Sequence, residues 1–182
     1  FGGFNFMEFS GNEKVIVNPL RIKNWIKDEL EASILLYFTG VSRSSAKIIN
    51  DQIKNTEDGK KSAIEAMHIV KKSAFEMKEA VLKGDMVSFG EILDRSWQAK
   101  KKMSSKISNT IIQNIISEAK KNGAISAKVS GAGGGGFIMF FINPAMKINV
   151  INSLKKFNGN VVNFNFSDGG CHGWKIINNS NN

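Results

Sequence analysis

Cysteine is almost absent from these 182 residues: Cys171 stands alone. No disulfide can close within the chain, and a reducing compartment is expected. Proline is nearly as scarce, with Pro19 and Pro144 the only two, and no Ser/Pro-rich stretch marks a linker between two domains. Long apolar runs are missing as well. The longest, "FIMFFI" at 137–142, has the length of a buried strand and falls far short of the ~20 residues that cross a bilayer. No membrane partner is expected. No basic segment followed by an apolar one opens the chain, so a signal peptide is not expected either, and the cytoplasm is the expected location. Acidic residues are the minority charge, 16 Asp and Glu against 25 Lys and Arg, for a formal net charge of +9. Such an excess suits an anionic partner, whether nucleic acid, membrane surface or phosphorylated metabolite. The lysines are scattered through helical segments, with Lys100–Lys102 the densest run, and such a run reads first as a solvated face. Basic and aromatic residues do not interleave in strands as they do in an RNA-binding platform, so nucleic acid is a disfavoured partner.

The chain does have apolar material, 42% of its residues, enough for one sizeable core. Strands are expected at 4–9 and 14–18, joined by the "SGN" turn at 10–12. The stretch "SILLYFT" at 33–39 is apolar enough for a strand buried on both faces. Further strands are expected at 125–129, 137–142, 160–166 and 173–177. Helices are expected at 24–30, from Arg43 to about 54, at 59–82 and from Asp85 onward. Ala63, Met67, Val70, Ala74, Met77 and Val81 would form the apolar stripe of the long helix. Gly84 breaks that helix, and Asp85 is a good N-cap for the next, with Met86, Phe89, Leu93 and Trp97 on one face. Another helix should run from about 108 to 121 and stop at Asn122-Gly123, and a last one from near Pro144 to near Phe157. Strands at both ends and helices in the middle predict an α+β fold, a mostly antiparallel sheet with helices packed on it. Residues 1–177 read as one domain and 178–182, "NNSNN", as a disordered tail.

Glycine is the surplus that needs a reason. Gly131-Ala132-Gly133-Gly134-Gly135-Gly136 spells G-x-G-x-x-G, but a dinucleotide-binding loop opens a helix and is followed about 20 residues on by an acidic residue. This loop opens onto a strand, and position 156 is a lysine. A Walker A loop ends in Gly-Lys-Ser/Thr; this one ends in Gly136-Phe137. What remains is a strand–glycine loop–strand element. Its backbone can turn its N–H groups onto one anion, or it can be a tight turn with no ligand. Ser130 could add a hydroxyl and Lys128 a charge, although strand alternation leaves the direction of Lys128 open.

The stretch "KVSGAGGGGF" at 128–137 resembles the third conserved motif of the GHMP small-molecule kinases, a glycine-rich loop that closes against the nucleotide phosphates and the substrate. "FGGFNFMEF" (1–9), "LLYFTGVSRSSAKII" (35–49), "SWQAKKKMS" (96–104) and "KKNGAISAKVSGAGGGGF" (120–137) narrow the resemblance to the kinases that phosphorylate D-glycero-D-manno-heptose 7-phosphate at its anomeric hydroxyl. It runs from Phe1 to about Ile177. The nucleotide loop of that family, a proline followed by "GLGSSA"-like residues, has no counterpart here, and the family's catalytic aspartate would fall before Phe1. The resemblance therefore implies the C-terminal half of a longer kinase, a fragment whose N-terminal domain is missing and which is inactive alone. ATP as co-substrate and Mg²⁺ are both expected to need that domain, itself the expected partner of this one.

Under the resemblance, Ser130, Gly131, Ala132, Gly133, Gly134, Gly135 and Gly136 form a phosphate and nucleotide loop, with no catalytic residue and no metal ligand in the chain. Substrate contacts are expected from Gly2 and Gly3, from Thr39 and Gly40 at the sheet edge by the cleft, and from Ser42, Arg43 and Lys100. Arg43 has independent support: a cation in the first turn of a helix opposes the macrodipole unless a phosphate lies there, held also by Ser42 or Ser44. It is the expected ligand of the substrate's 7-phosphate, against the plainer reading of an arginine in solvent. Trp97, Lys100 and Lys101 lie within about one helical turn and could face one site, although Trp97 reads first as core. His68 and His172 lack partners at metal-ligand spacing, and Cys171 has no base beside it. Two other readings stay open: a basic module that grips a polyanion without catalysis, and a homodimer formed through the Met/Val stripe of the long helix.

Overall fold

A computed structural model of the chain describes residues 1–11, 13–41 and 45–174. The expected α+β layout is the one that forms, helices packed on antiparallel sheets. Strands β1 (Asn5–Phe9) and β2 (Val15–Pro19) pair as an antiparallel hairpin, Asn5 opposite Pro19. Helix α1 (Asn24–Ser33) runs straight into β3 (Ile34–Phe38). Helices α2 (Ser45–Glu57), α3 (Lys61–Lys83), α4 (Met86–Met103) and α5 (Thr110–Lys121) follow. The chain then forms β4 (Ala124–Val129), β5 (Phe137–Ile142), α6 (Lys147–Leu154) and β6 (Asn160–Val162). The second sheet has the order β4-β5-β3-β6, every pair antiparallel.

β3 and β5 are apolar along their whole length because both faces of their sheet are covered. Successive side chains alternate between faces. Leu35, Tyr37, Ile138, Phe140 and Ile142 enter one core with Trp97, Ile112, Ile115 and Val150. Ile34 and Phe141 enter the other, with Ile26, Leu30, Val81, Phe89 and Leu93, where the rings of Phe89 and Phe141 are 4.9 Å apart. Burial of each such side chain contributes about 1.5–3 kcal/mol. The turn from α3 to α4 forms at the expected residues. Gly84 takes a left-handed conformation after the last helical residue, and the Asp85 carboxylate accepts the Ser88 amide at 3.0 Å.

Several boundaries differ from the sequence reading. In α3, Met67 and Ala74 are exposed, and the buried positions are Ala63, Ala66, Ser73, Ala80 and Val81. Four of these five carry small side chains that let α3 lie close against α4, a seam that a hydrophobic stripe weighted toward methionine misses. The strand expected over 160–166 ends at Val162. Phe164 and Phe166 pack inward instead, Phe166 onto Phe4 at 4.7 Å, and the Phe166 amide donates to Glu31 Oε1 at 2.7 Å, a bond no sheet partner supplies. The helix expected from Pro144 opens with a tight 3₁₀ turn (Pro144–Met146) and ends at Leu154. Gly173 and Trp174 belong to no strand, and Trp174 is exposed; 175–177 and the tail at 178–182 lie outside the described residues. Among the described residues, no helix is long and apolar enough to cross a membrane.

Candidate functional site

The glycine loop, 130–136, leaves β4 and returns in β5, closed at its base by the Ser130 amide donating to the Phe137 carbonyl at 2.8 Å. Its far half is pinned on two sides. The Gly134 amide donates to the Ile107 carbonyl at 2.8 Å and the Gly136 amide to the Val41 carbonyl at 2.7 Å, while the Thr39 amide donates to the Gly136 carbonyl at 2.9 Å. The approach is so close that glycine is required: at Gly133, φ is +109°, and a β-carbon would stand 2.7 Å from the Ile107 carbonyl oxygen. The near half is different. The amides of Gly131, Ala132 and Gly133 have no acceptor among the described residues, and in the far half the Gly135 amide has none either, so the near half alone offers three successive donors.

The pin at Ile107 is held in turn by an acid. Ile107 ends a short 3₁₀ turn (Ser105–Ile107) between α4 and α5. The Asp51 carboxylate of α2 accepts from the Ser104 hydroxyl and from Lys106 Nζ at 2.7 Å. The Lys106 bond first, then the Ser104 bond, holds its carboxyl below the ordinary carboxylate range.

Beside the loop lies a cavity of about 700 Å³ between β1, α3, α4 and the sheet. Its walls are apolar, among them Phe4, Phe6, Met77, Phe89 and Leu93. Where it meets the loop it turns polar, lined by Ser96, Lys100, Lys128, Ser130 and Gly131. Lys100 donates from its ammonium to the Gly131 carbonyl. Burial, and secondarily the charge of Lys128, lowers its pKa from 10.5 to about 8. Burial lowers that of Lys128 too. Among the described residues, no carboxylate lines the cavity and neither lysine is in an ion pair.

These placements divide the expected site residues. Ser130 and Gly131 line the cavity, Ala132 packs against the core, Gly134 and Gly136 pin the loop through their amides, and Gly133 and Gly135 lie close against the Ile107 and Val41 carbonyls. Thr39 and Gly40 follow the end of β3, which lies between β5 and β6 inside the sheet rather than at its edge. The Thr39 hydroxyl donates to the Val41 carbonyl at 3.2 Å. Gly2 and Gly3 face 167–170 instead of the cavity, the Gly3 amide donating to the Ser167 carbonyl at 2.8 Å; their neighbours Phe4 and Asn5 line the cavity. Ser42, Arg43 and Ser44 lie outside the described residues. Trp97, Lys100 and Lys101 do not converge: Trp97 is core at 2% exposure, Lys100 enters the cavity, and Lys101 lines a separate open groove beside α5. His68, Cys171 and His172 are exposed, and no three metal-ligating side chains cluster among the described residues. Lys128 is the residue sequence reasoning left undecided. Its signal was the i, i+2 spacing from Ser130, which puts both on one strand face, opposite Val129, which is buried in the core.

Comparison with known proteins bears on the family and the fold. The family model for the C-terminal region of the GHMP kinases matches residues 77–160. The D-glycero-alpha-D-manno-heptose 7-phosphate kinase of Campylobacter jejuni is 47% identical over 176 residues, 97% of this chain and 51% of that protein. A crystal structure of a D-glycero-D-manno-heptose 1-phosphate kinase from Bacteroides thetaiotaomicron superposes with a TM-score of 0.71 at 43% identity, covering 97% of this chain and 46% of that one. The mevalonate kinase of L. major shares the fold at 22% identity, with a TM-score of 0.65 over 86% of this chain and 45% of its own. The chain spans about half the length of these relatives.

Proposed function

Residues 77–160 carry the C-terminal domain of the GHMP kinases, and from that premise we propose that this chain is the C-terminal part of an ATP-dependent sugar kinase acting on a heptose 7-phosphate. The γ-phosphate of ATP is transferred to the sugar's anomeric hydroxyl. The observation that carries the reading is the near half of the glycine loop: three successive amides without acceptors, the first of them at a cavity end lined by two lysines and, among the described residues, by no carboxylate.

Phosphoryl transfer asks a protein for positioning and charge stabilisation more than for covalent help. The amides of Gly131 to Gly133 offer donors to phosphate oxygens, and the pins at Ile107 and Val41 hold them at a fixed place before ligand arrives. Apolar walls around Phe89 and Leu93 keep water from competing with the sugar hydroxyl. The reading places Mg²⁺ with the other half of the protein, and no step is routed through it here. The sequence contains no second phosphate loop, and the reading assigns the rest of nucleotide binding, with the metal, to another half of the protein. Residues 1–177 act as one unit, in the cytoplasm, and the chain alone transfers no phosphate.

The test compares this chain with a longer protein in which a GHMP-type N-terminal half precedes it. Each is incubated with ATP, Mg²⁺ and heptose 7-phosphate, and products are followed by ³¹P NMR. An anomeric phosphate resonance is expected from the longer protein only. Transfer by this chain alone overturns the division of labour; failure of the longer protein to phosphorylate the sugar overturns the kinase reading.

A further inference from the structure

We propose that Lys100, Lys128 and the Ser130 hydroxyl form a subsite for a phosphate dianion at the polar end of the cavity, and that filling it draws a proton onto the lysine pair. The inference rests on the kinase reading for its biological meaning but on the geometry for its chemistry. Two ammonium groups from different elements, α4 and β4, line one end of a cavity whose remaining walls are largely apolar. Like charges placed together and partly desolvated repel each other, and a structure keeps such a pair where an anion will compensate it. Among the residues that line the cavity, the titratable ones are Lys78 of α3, Lys100 and Lys128. Lys78 has partners of its own, Glu79 at 3.6 Å and the ring of the cavity wall Phe6 at 4.9 Å. Among the described residues, Lys100 and Lys128 therefore have each other, the Gly131 carbonyl that Lys100 reaches, and whatever enters.

The charge deficit gives the site a signature beyond affinity. With Lys100 at about 8, roughly half of the Lys100 side chains are neutral at pH 8 and about a tenth at pH 7. A dianion between the lysines restores the ordinary preference for the charged form, so binding takes up protons at pH 8 and almost none at pH 6.5. A surface lysine patch with ordinary pKa values takes up none at either pH.

The experiment titrates inorganic phosphate, and sulfate as a dianion with no proton of its own to release, into the 182-residue chain by calorimetry. Two buffers of different ionisation enthalpy are used at each pH. Expected are saturable binding of both anions, proton uptake from sulfate binding at pH 8 that vanishes at pH 6.5, and about tenfold weaker binding for Lys100→Met and for Lys128→Met. Lys128→Arg retains affinity. Lys101→Met, on the other side of α4, is unchanged. Circular dichroism melts show whether each variant is folded. Absence of saturable binding in the wild type, no proton uptake at pH 8, or wild-type affinity in folded Lys100→Met and Lys128→Met overturns the subsite. Displacement of phosphate by heptose 7-phosphate assigns the site to the sugar's own phosphate, and displacement by ATP assigns it to the nucleotide; displacement by neither overturns it. No ATP turnover enters these readouts, so a failed kinase assay and a failed subsite are separate results.

Discussion

A β-carbon on Gly133 would lie 2.7 Å from the Ile107 carbonyl oxygen, the same oxygen that accepts the Gly134 amide at 2.8 Å. Gly133→Ala must therefore both strain a backbone at φ +109° and push away the anchor of the next residue. We predict a loss of about 1–3 kcal/mol in urea denaturation and, in the longer protein, at least about a tenfold fall in kcat/KM. Gly131→Ala is the control. It has a left-handed φ of +71° but nothing within 4 Å of the added carbon, so its stability loss is the smaller of the two. Equal losses would show that conformation alone, and not the Ile107 contact, sets the cost.

The loop also shows what a sequence carries and what it does not. Its ends, its glycine content and its place between two strands were legible, because strand length and the run "FIMFFI" depend on local pattern. The choice between a tight turn and an anion nest was not. The far half is a turn pinned to Ile107 and Val41, 23 or more residues away in the chain, while the near half keeps three amides without acceptors among the described residues. The seam of α3 was misread for a related reason. Ala66, Ser73 and Ala80 are weakly hydrophobic, and their burial follows from how close α4 comes, a fact of tertiary packing. The Asp51 clamp joins residues more than 50 positions apart and leaves no pattern at all.

That clamp predicts a pH dependence. The Asp51 carboxyl is held below its ordinary value of 3.8, chiefly by the bond from Lys106 and then by that from Ser104. A depressed acid contributes stability that is present above its unfolded value and lost as pH falls through its folded one. Asp51→Asn should lower the melting temperature at pH 5–8, and the gap to wild type should close as pH drops below 3.8. Because the clamp fixes the turn that offers the Ile107 carbonyl, phosphate affinity should fall with it. A constant gap down to low pH would mean that the carboxylate charge is not what holds the turn.

Trp97 offers a way to separate core from ligand platform. It is 2% exposed and sits among Ile112, Ile115 and Phe140 in one of the two cores. Trp97→Leu leaves an unfilled volume and should cost about 2–4 kcal/mol in urea denaturation. In the longer protein, KM for the sugar phosphate should stay within about twofold, since uniform binding contacts are untouched. A tenfold rise in KM without a stability change would make the indole a sugar-stacking surface after all.

Lys100 gives the last prediction, in which stability and binding pull against each other. Its folded pKa, about 8, lies below the ordinary 10.5 because burial, and then the charge of Lys128, penalises the ammonium. Between those values the unfolded chain holds the proton and the folded chain does not, so stability must rise with pH across that interval. The penalty is fully present below pH 8. The side chain is partly open to water, which leaves about 1 kcal/mol of that rise to be seen. Subtracting the curve of Lys100→Met from that of wild type isolates it from other groups that titrate near pH 10. The difference should climb between pH 8 and pH 10.5 in the absence of anion and flatten when sulfate is added at saturating concentration, because the bound dianion pays the electrostatic penalty instead. Parallel curves without sulfate would mean that Lys100 keeps an ordinary pKa, and a climb that persists with sulfate would mean that the anion sits elsewhere.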